Sequence, residues 1–254
     1  MVLMLVAVAL GVAVENIGKS RPMLGQAQLL ALVVWVYLLK CTFAIRELID
    51  AGLRVALWLE RNDLSGARQA VRSLVSRDVS GLDRGRVASA AVESLAENLC
   101  DSVVAPLLFY VLFGLPGALA YRVANTLDAM YGYRGELEWA GKVAARVDDV
   151  LNFVPARLSS LGLWLVSSAV AGLEPLRAAW KYRRLTESPN AGWTMSALAG
   201  ALGVTLEKPG HYIIPGGPQY PDRAHLLQAC RIVFRAAVLF AAVAIVGGLL
   251  SAFI

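Results

Sequence analysis

Apolar residues run almost unbroken through 2–14, 27–45, 102–121, 158–173 and 232–254, with polar loops at 46–101, 122–157 and 174–231 between them, the first and third of these Arg-rich. A helix needs about 17–25 mostly apolar residues to cross the hydrocarbon layer. The pattern therefore predicts an all-α, polytopic membrane protein: a single helical membrane domain with about five membrane-embedded helices and amphipathic helices between them. Stretch 46–60 has apolar positions at Leu48, Ile49, Leu53, Leu57 and Trp58, and 63–76 carries Arg68 and Arg72 four apart. Both read as amphipathic helices, lying on the membrane surface or packing on each other. Segment 102–121 holds Pro106, Gly114, Pro116 and Gly117 together, a composition that suits a broken or re-entrant segment better than a plain span.

Composition agrees with the hydropathy. Of 254 residues 57% are hydrophobic, and the mean hydropathy is +0.58, above the roughly 45–50% apolar content of a soluble domain. A net charge of +5 would suggest nucleic acid in a soluble protein, but here the excess follows the Arg-rich loops that orient membrane proteins, and no nucleic-acid-reading motif accompanies it. Cys41, Cys100 and Cys230 are odd in number and widely spaced, and read as reduced small hydrophobes. The opening run lacks a basic leader and a small-residue cleavage site, so it does not read as a removed signal. AVENIGKS at 13–20 satisfies the loose phosphate-loop pattern, yet its flanks are membrane spans and not the strand and helix such a loop requires.

The polar positions that could carry chemistry are few. In RDVSGLDRGRVASAAVESLAENLCD, residues 77–101, the carboxylates Glu93, Glu97 and Asp101 recur every four residues in an Ala-rich helix pattern that runs directly into 102–121. Like charges at that spacing oppose the helix, so a metal ion or an Arg should offset them unless the row is a solvated face. Asp78, Ser80 and Asp83 offer caps before that helix. Farther on, Asn125 and Asp128 share a face at three-residue spacing, Gly132 reads as a helix stop, and Asp148 and Asn152 share a face four apart. Asp149, three after Arg146, reads equally as its ion-pair partner. Arg177, Lys181, Arg183 and Arg184 form a basic helix face suited to phosphate or anionic lipid, or simply to orientation, and the Pro-Asn-Ala-Gly turn that opens the helix of SPNAGWTMSALAGALG could present backbone N–H groups to a phosphate. His211 and His225 show no recognisable partner. The positive-inside rule places 46–101 and 174–231 on the cytoplasmic face. A segment 102–121 that crosses fully would put 122–157 on the opposite side, whereas a re-entrant hairpin would return it.

Taken together, RDVSGLD, AVESLAENLCDSVVAPL, GLPGALAYRVANTLDAMYGYR, RVDDVLNFVPARL and SPNAGWTMSALAGALGV, spread over most of 32–204, resemble the CobD/CbiB family of membrane-bound adenosylcobinamide-phosphate synthases. The resemblance implies an ATP-dependent ligase of cobalamin biosynthesis, which joins the free propionate of adenosylcobyric acid to (R)-1-amino-2-propanol or its O-phosphate through an amide bond. Such chemistry activates a carboxylate with ATP and uses Mg²⁺ held by carboxylates and substrate phosphates. The candidate acid–base and metal residues are Glu93, Glu97, Asp101, Asp128, Asp148 and Asp149, helped by Asn98, Asn125 and Asn152. The phosphate candidates are Arg77, Arg146, Arg157 and Asn190, with Lys181 to Arg184 for the amine's phosphate. Tyr131, Tyr133 and Trp139 could line a corrinoid cavity or anchor the chain at the interface. The expected partners are the corrinoid, the amine and membrane lipid, without nucleic acid, in a cell-membrane protein whose active site faces the cytoplasm; a complex with other cobalamin-assembly enzymes stays open. The family's usual additional apolar helix with Asp-Pro and His-Pro elements is not found at the front. Two other readings compete: an intramembrane Mg²⁺-dependent prenyl or alcohol-phosphate transferase, and a non-catalytic corrinoid-delivery or scaffold subunit.

Overall fold

The computed structural model of the chain describes residues 26–131 and 138–251, with positions 4, 7–9, 11 and 12 of the opening run. Most of the span at 2–14, the AVENIGKS stretch, Gly132 and Tyr133 lie outside the described residues, as do the side chains of Tyr131 and Trp139. Among the described residues, four helical stretches are long and apolar enough to cross a membrane: Leu29–Glu60, Arg84–Met130, Phe153–Ala171 and Arg223–Gly247. They overlap the four later apolar runs of the sequence. The chain is a polytopic helical membrane protein.

Contacts divide it into two units, the first made of Met1–Ala44, Asp101–Asn152 and Ala241–Ile254. Here α1 (Gln26–Thr42) leaves Leu29, Leu30, Leu32, Val33, Val36 and Tyr37 more than half exposed, as suits a lipid-facing helix. A π-helical turn at Cys100–Val104 leads into α5 (Ala105–Tyr131), and the Ala44 N–H donates to the Ser102 carbonyl at 3.0 Å. Inside α5, Gly114 has φ 66 and ψ −161, a conformation essentially confined to glycine. The rings of Phe109 and Tyr121 stack 5.3 Å apart, whereas twelve residues of straight helix span about 18 Å. A Cβ on Gly117 would also fall 2.6 Å from the Phe109 carbonyl oxygen. The chain thus reverses at Gly114, and α5 is a helical hairpin whose returning arm brings Asp128 roughly level with Ser102. Against α5 packs α6 (Glu138–Leu151).

The second unit comprises Ile45–Cys100 and Phe153–Phe240. It contains α2 (Ile45–Glu60), α3 (Leu64–Val71), α4 (Arg84–Leu99), α7 (Phe153–Ala171), α8 (Glu174–Tyr182), α9 (Ala191–Leu202) and the first part of α10 (Arg223–Ser251). Its centre is α4, buried throughout 87–96. The small Ala88, Ala90, Ala91, Ser94 and Ala96 let α2, α3 and α9 approach it closely. Asp83 caps α4 through the Arg86 N–H at 2.9 Å and Asp63 caps α3, while Asp78 instead closes a local turn with Ser80. On α2 the buried face is Leu48, Ala51, Gly52, Val55, Ala56 and Leu59; Leu53 and Leu57, read from the sequence as part of the apolar face, stay over 40% exposed.

One element departs from the all-α expectation. TLEK and YIIP form strands β1 (Thr205–Lys208) and β2 (Tyr212–Pro215), antiparallel with Thr205 opposite Pro215 and Lys208 opposite Tyr212. Gly210 turns the hairpin at φ 77. Leu206 and Ile214 are buried while Ile213 is exposed, the alternation of a half-covered ribbon.

Candidate active site

In the first unit, α6 and the turn residue that follows it present Asp148 and Asn152 to the returning arm of α5. The hydroxyl of Tyr121, 1% exposed, donates to Asn152 Oδ1 at 2.8 Å. Asn152 Nδ2 donates to one Asp148 oxygen at 2.9 Å and Asn125 Nδ2 to the other at 3.2 Å, while Arg122 donates to Asn125 Oδ1 at 3.4 Å. Both faces read from the sequence therefore meet. Among the described residues, Asp148 is held by amides and not by a guanidinium. Burial pushes its carboxyl above the ordinary range, the two amide hydrogen bonds oppose that rise, and the charge of Asp149 adds to it. Asp128 lies within the electrostatic reach of both Asp148 and Asp149. Arg146 stays apart from the cluster: it is exposed beside Lys142, Val143, Val147 and Val150 on the outer face of α6 and forms no ion pair among the described residues, so the pairing with Asp149 suggested by spacing is not made.

In the second unit, Glu93 is 3% exposed and accepts from every side. Arg77 spans its two oxygens at 3.4 Å, Ser89 Oγ donates at 2.9 Å and the Tyr212 hydroxyl at 2.8 Å. The offsetting positive charge required by the carboxylate row is thus, for Glu93, an arginine. That contact engages Arg77, one of the phosphate candidates. Tyr212 ionises less readily than a free tyrosine because it is buried and faces Glu93. Beside this node Glu207 is held by Arg86 at 3.2 Å and by the Tyr220 hydroxyl, and its backbone N–H donates to Ser89 Oγ at 2.8 Å. Glu97 is half-buried, Asn98 donates to the Ser94 carbonyl at 3.0 Å, and Asp101 falls in the π-turn, where the regular four-residue stacking stops.

A third group gathers at the start of α9. Buried Asn190 accepts from Arg157 Nη1 at 3.1 Å. The Arg157 guanidinium lies 3.5 Å from the Phe153 ring centroid and 4.9 Å from that of Trp193; Arg183 lies 5.4 Å over the same Trp193 ring. Both histidines have carboxylate partners, contrary to the sequence reading. His211 Nδ1 meets Glu187 and His225 Nδ1 meets Asp222, each at 2.6 Å. Sequence reasoning also missed Tyr121, Tyr212, Ser89, Glu207 and Trp193. Tyr212 and Glu207 stand more than 110 residues from the side chains they join, where no local pattern reaches.

Among the described residues, no three His, Cys, Asp or Glu side chains converge into a ready-made metal cage. The neighbouring carboxylates Asp128, Asp148 and Asp149 are hard oxygen donors of the kind that hold Mg²⁺ through one or two carboxylates together with substrate phosphates.

Comparison with known proteins gives these clusters a family. Residues 1–238 match the CobD/Cbib protein family. Cobalamin biosynthesis protein CobD of Dehalococcoides mccartyi is 50% identical over 184 residues, 71% of this chain and 59% of the relative's length. Probable cobalamin biosynthesis protein CobD of Pyrococcus furiosus is 45% identical over 219 residues, 85% of this chain and 73% of the relative, and that of Methanocaldococcus jannaschii is 43% identical over 188 residues, 73% and 61%. The chain thus spans about three fifths of the length of the first and third of these relatives. No solved structure matches significantly. A family match over nearly the whole chain, joined to relatives at 43–50% identity, identifies the protein as a member of the CobD/CbiB family of cobalamin biosynthesis proteins.

Proposed function

We propose that this protein is an ATP-dependent acid–amine ligase that joins adenosylcobyric acid to (R)-1-amino-2-propanol or its O-phosphate. The observation that carries the reading is Asp148, held at both oxygens by amides with Asp128 and Asp149 in its electrostatic neighbourhood, in a family of cobalamin biosynthesis. Amide formation at neutral pH needs an activated acyl group, because carboxylate oxygen is a poor leaving group, and ATP supplies that activation. Bound Mg²⁺ would neutralise phosphate charge as it moves. Asp128 and Asp149 are the residues to hold it. Asp148, fixed at both oxygens by Asn125 and Asn152, is placed to accept a proton from the attacking amine, and the burial that raises its pKa makes it a stronger base than an exposed carboxylate. Tyr121 orients Asn152 and thereby Asp148.

The reading includes a topology. The α5 hairpin, reversing at Gly114, dips into the membrane and returns, so that Asp128 re-emerges on the side where Asp101 lies, the cytoplasmic one given the Arg-rich loops. Purified protein incubated with adenosylcobyric acid, Mg²⁺ and aminopropanol phosphate should form the amide product, followed by corrinoid mass, only when ATP is present. Corrinoid binding without product under the same conditions would make it a delivery or scaffold subunit instead.

A further inference from the structure

The cations of the second unit are not all neutralised alike. Arg77 and Arg86 sit on Glu93 and Glu207, Arg177 pairs with Glu174 at 2.7 Å, and Arg223 with Glu60 at 2.8 Å. Arg157 and Arg183 are different. Each is half-buried, and no carboxylate among the described residues lies within ion-pair distance of either. The acids nearest in sequence to Arg183 are already engaged, Glu174 with Arg177 and Glu187 with His211.

The two guanidiniums are nevertheless held together. Both stack on Trp193, Arg157 also on Phe153 and Arg183 also on Trp180 at 3.9 Å, and they lie within each other's electrostatic range. Among the described residues their hydrogen bonds use Nη1 alone, from Arg157 towards Phe153 O and Asn190 Oδ1 and from Arg183 towards Trp180 O. Most of the five N–H donors of each fork remain available. Two like charges held against one indole and within each other's electrostatic range repel, and an anion between their forks would offset that repulsion. The clamp is itself built: a Cβ on Gly192 would fall 2.2 Å from the Arg183 carbonyl oxygen, so only glycine lets the segment carrying Arg183 close down on α9.

We propose that Arg157 and Arg183, braced on Trp193, form a subsite for a terminal phosphate dianion, and that in the ligase it receives the phosphate of the phosphorylated amine. The second clause rests on the ligase reading; the first does not. A phosphate monoester carries about −1.5 to −2 charges at pH 7, which matches two guanidiniums and their paired donors. Lys181 and Arg184, exposed beside the clamp and without Trp193 contacts, then add only long-range attraction.

The test is direct binding, with no corrinoid and no turnover, to the full chain in nanodiscs of zwitterionic lipid. Titration calorimetry would use inorganic phosphate, aminopropanol phosphate and Mg·ATP in separate arms, and a fourth arm would compare nanodiscs doped with phosphatidic acid. Aminopropanol phosphate should bind saturably, tighten as pH rises through about 6 while the phosphate loses its second proton, and weaken by about tenfold or more in Arg183→Ala. Arg72→Ala, which removes an exposed arginine of the same unit outside the clamp, should bind as the parent does. Should Arg157→Ala fail to fold, Arg157→Lys keeps the charge and loses the fork, and it should weaken binding too. Arg183-dependent binding of Mg·ATP alone would uphold the phosphate subsite and move its source to the nucleotide. Binding indifferent to Arg183, or an Arg183 effect seen only with phosphatidic acid, would overturn the proposal. Because product formation is assayed separately, intact phosphate binding without product would count against the ligase reading and leave the subsite standing.

Discussion

Glu93 and Asp148 are both buried-side carboxylates on helices of this chain, yet their surroundings differ in kind. Glu93 meets a guanidinium, a hydroxyl from its own helix and a phenol from β2, so its charge is balanced where it sits. Asp148 meets two amides and a neighbouring Asp, so its charge is oriented without being cancelled. A carboxylate paired with Arg is fastened to the fold; one held by amides among like charges stays chemically available. On the proposed reading, the difference separates a node that joins α4 to the β-hairpin from the site that moves protons.

The largest effect should come from removing the available carboxylate. Asp148→Asn should keep the protein folded and lower turnover by about 100-fold or more, the scale of a lost general base, as read by corrinoid product formation. Glu93→Ala should do the reverse. It strands a mostly buried guanidinium and the Tyr212 hydroxyl, and should destabilise the second unit by about 3–5 kcal/mol, visible as a lowered thermal midpoint. Gly114→Ala puts a Cβ into a backbone conformation that L side chains avoid and should cost about 1–3 kcal/mol, loosening the hairpin that positions Asp128.

A smaller contrast lies in pH dependence. The folded pKa of Asp148 is raised, so the stability it contributes is full below its unfolded value and is lost as pH rises through the folded one. Glu207 is shifted the other way, first by the Tyr220 hydroxyl and then by Arg86. Its contribution is present above the unfolded value and is lost as pH falls through the folded one. Hydrogen exchange followed from neutral pH to below the ordinary carboxylate range should show α6 better protected towards acid and β1 less protected at the acid end, and Asp148→Asn and Glu207→Gln should each flatten its own slope. The smallest effect is expected at Arg146: exposed and without an ion pair, its alanine variant should leave turnover within about twofold.

What was legible in the sequence was what is local. Hydropathy runs mark the spans because a helix in lipid satisfies its own backbone, and Pro106, Gly114, Pro116 and Gly117 announce a break in α5 without saying that the chain doubles back there. The pairs Asn125 with Asp128 and Asp148 with Asn152 could be read from spacing, but their meeting depends on how α6 lies on α5. The strands of the β-hairpin are four residues each, too short for alternation to stand out, although Pro209 and Gly210 mark its turn. The Glu93 node was half readable: the spacing asks for a positive partner, while Arg77 and Tyr212 come from 16 and 119 residues away. Labelling cysteines introduced at Ser80 and Gly135, in a chain lacking the exposed Cys41, would test the re-entrant hairpin. Access from one side supports it and access from opposite sides excludes it.

The contrast between the two carboxylates can be tested in one paired experiment: ATP-dependent corrinoid turnover and thermal midpoint measured side by side for Asp148→Asn and Glu93→Gln. Asp148→Asn should lose turnover with its midpoint held or raised, and Glu93→Gln should lose stability while the fraction that remains folded turns over near the parental rate. An Asp148→Asn protein that works normally, or a folded Glu93→Gln protein that is stable and inactive, would contradict the assignment of chemistry to the first cluster and of scaffolding to the second.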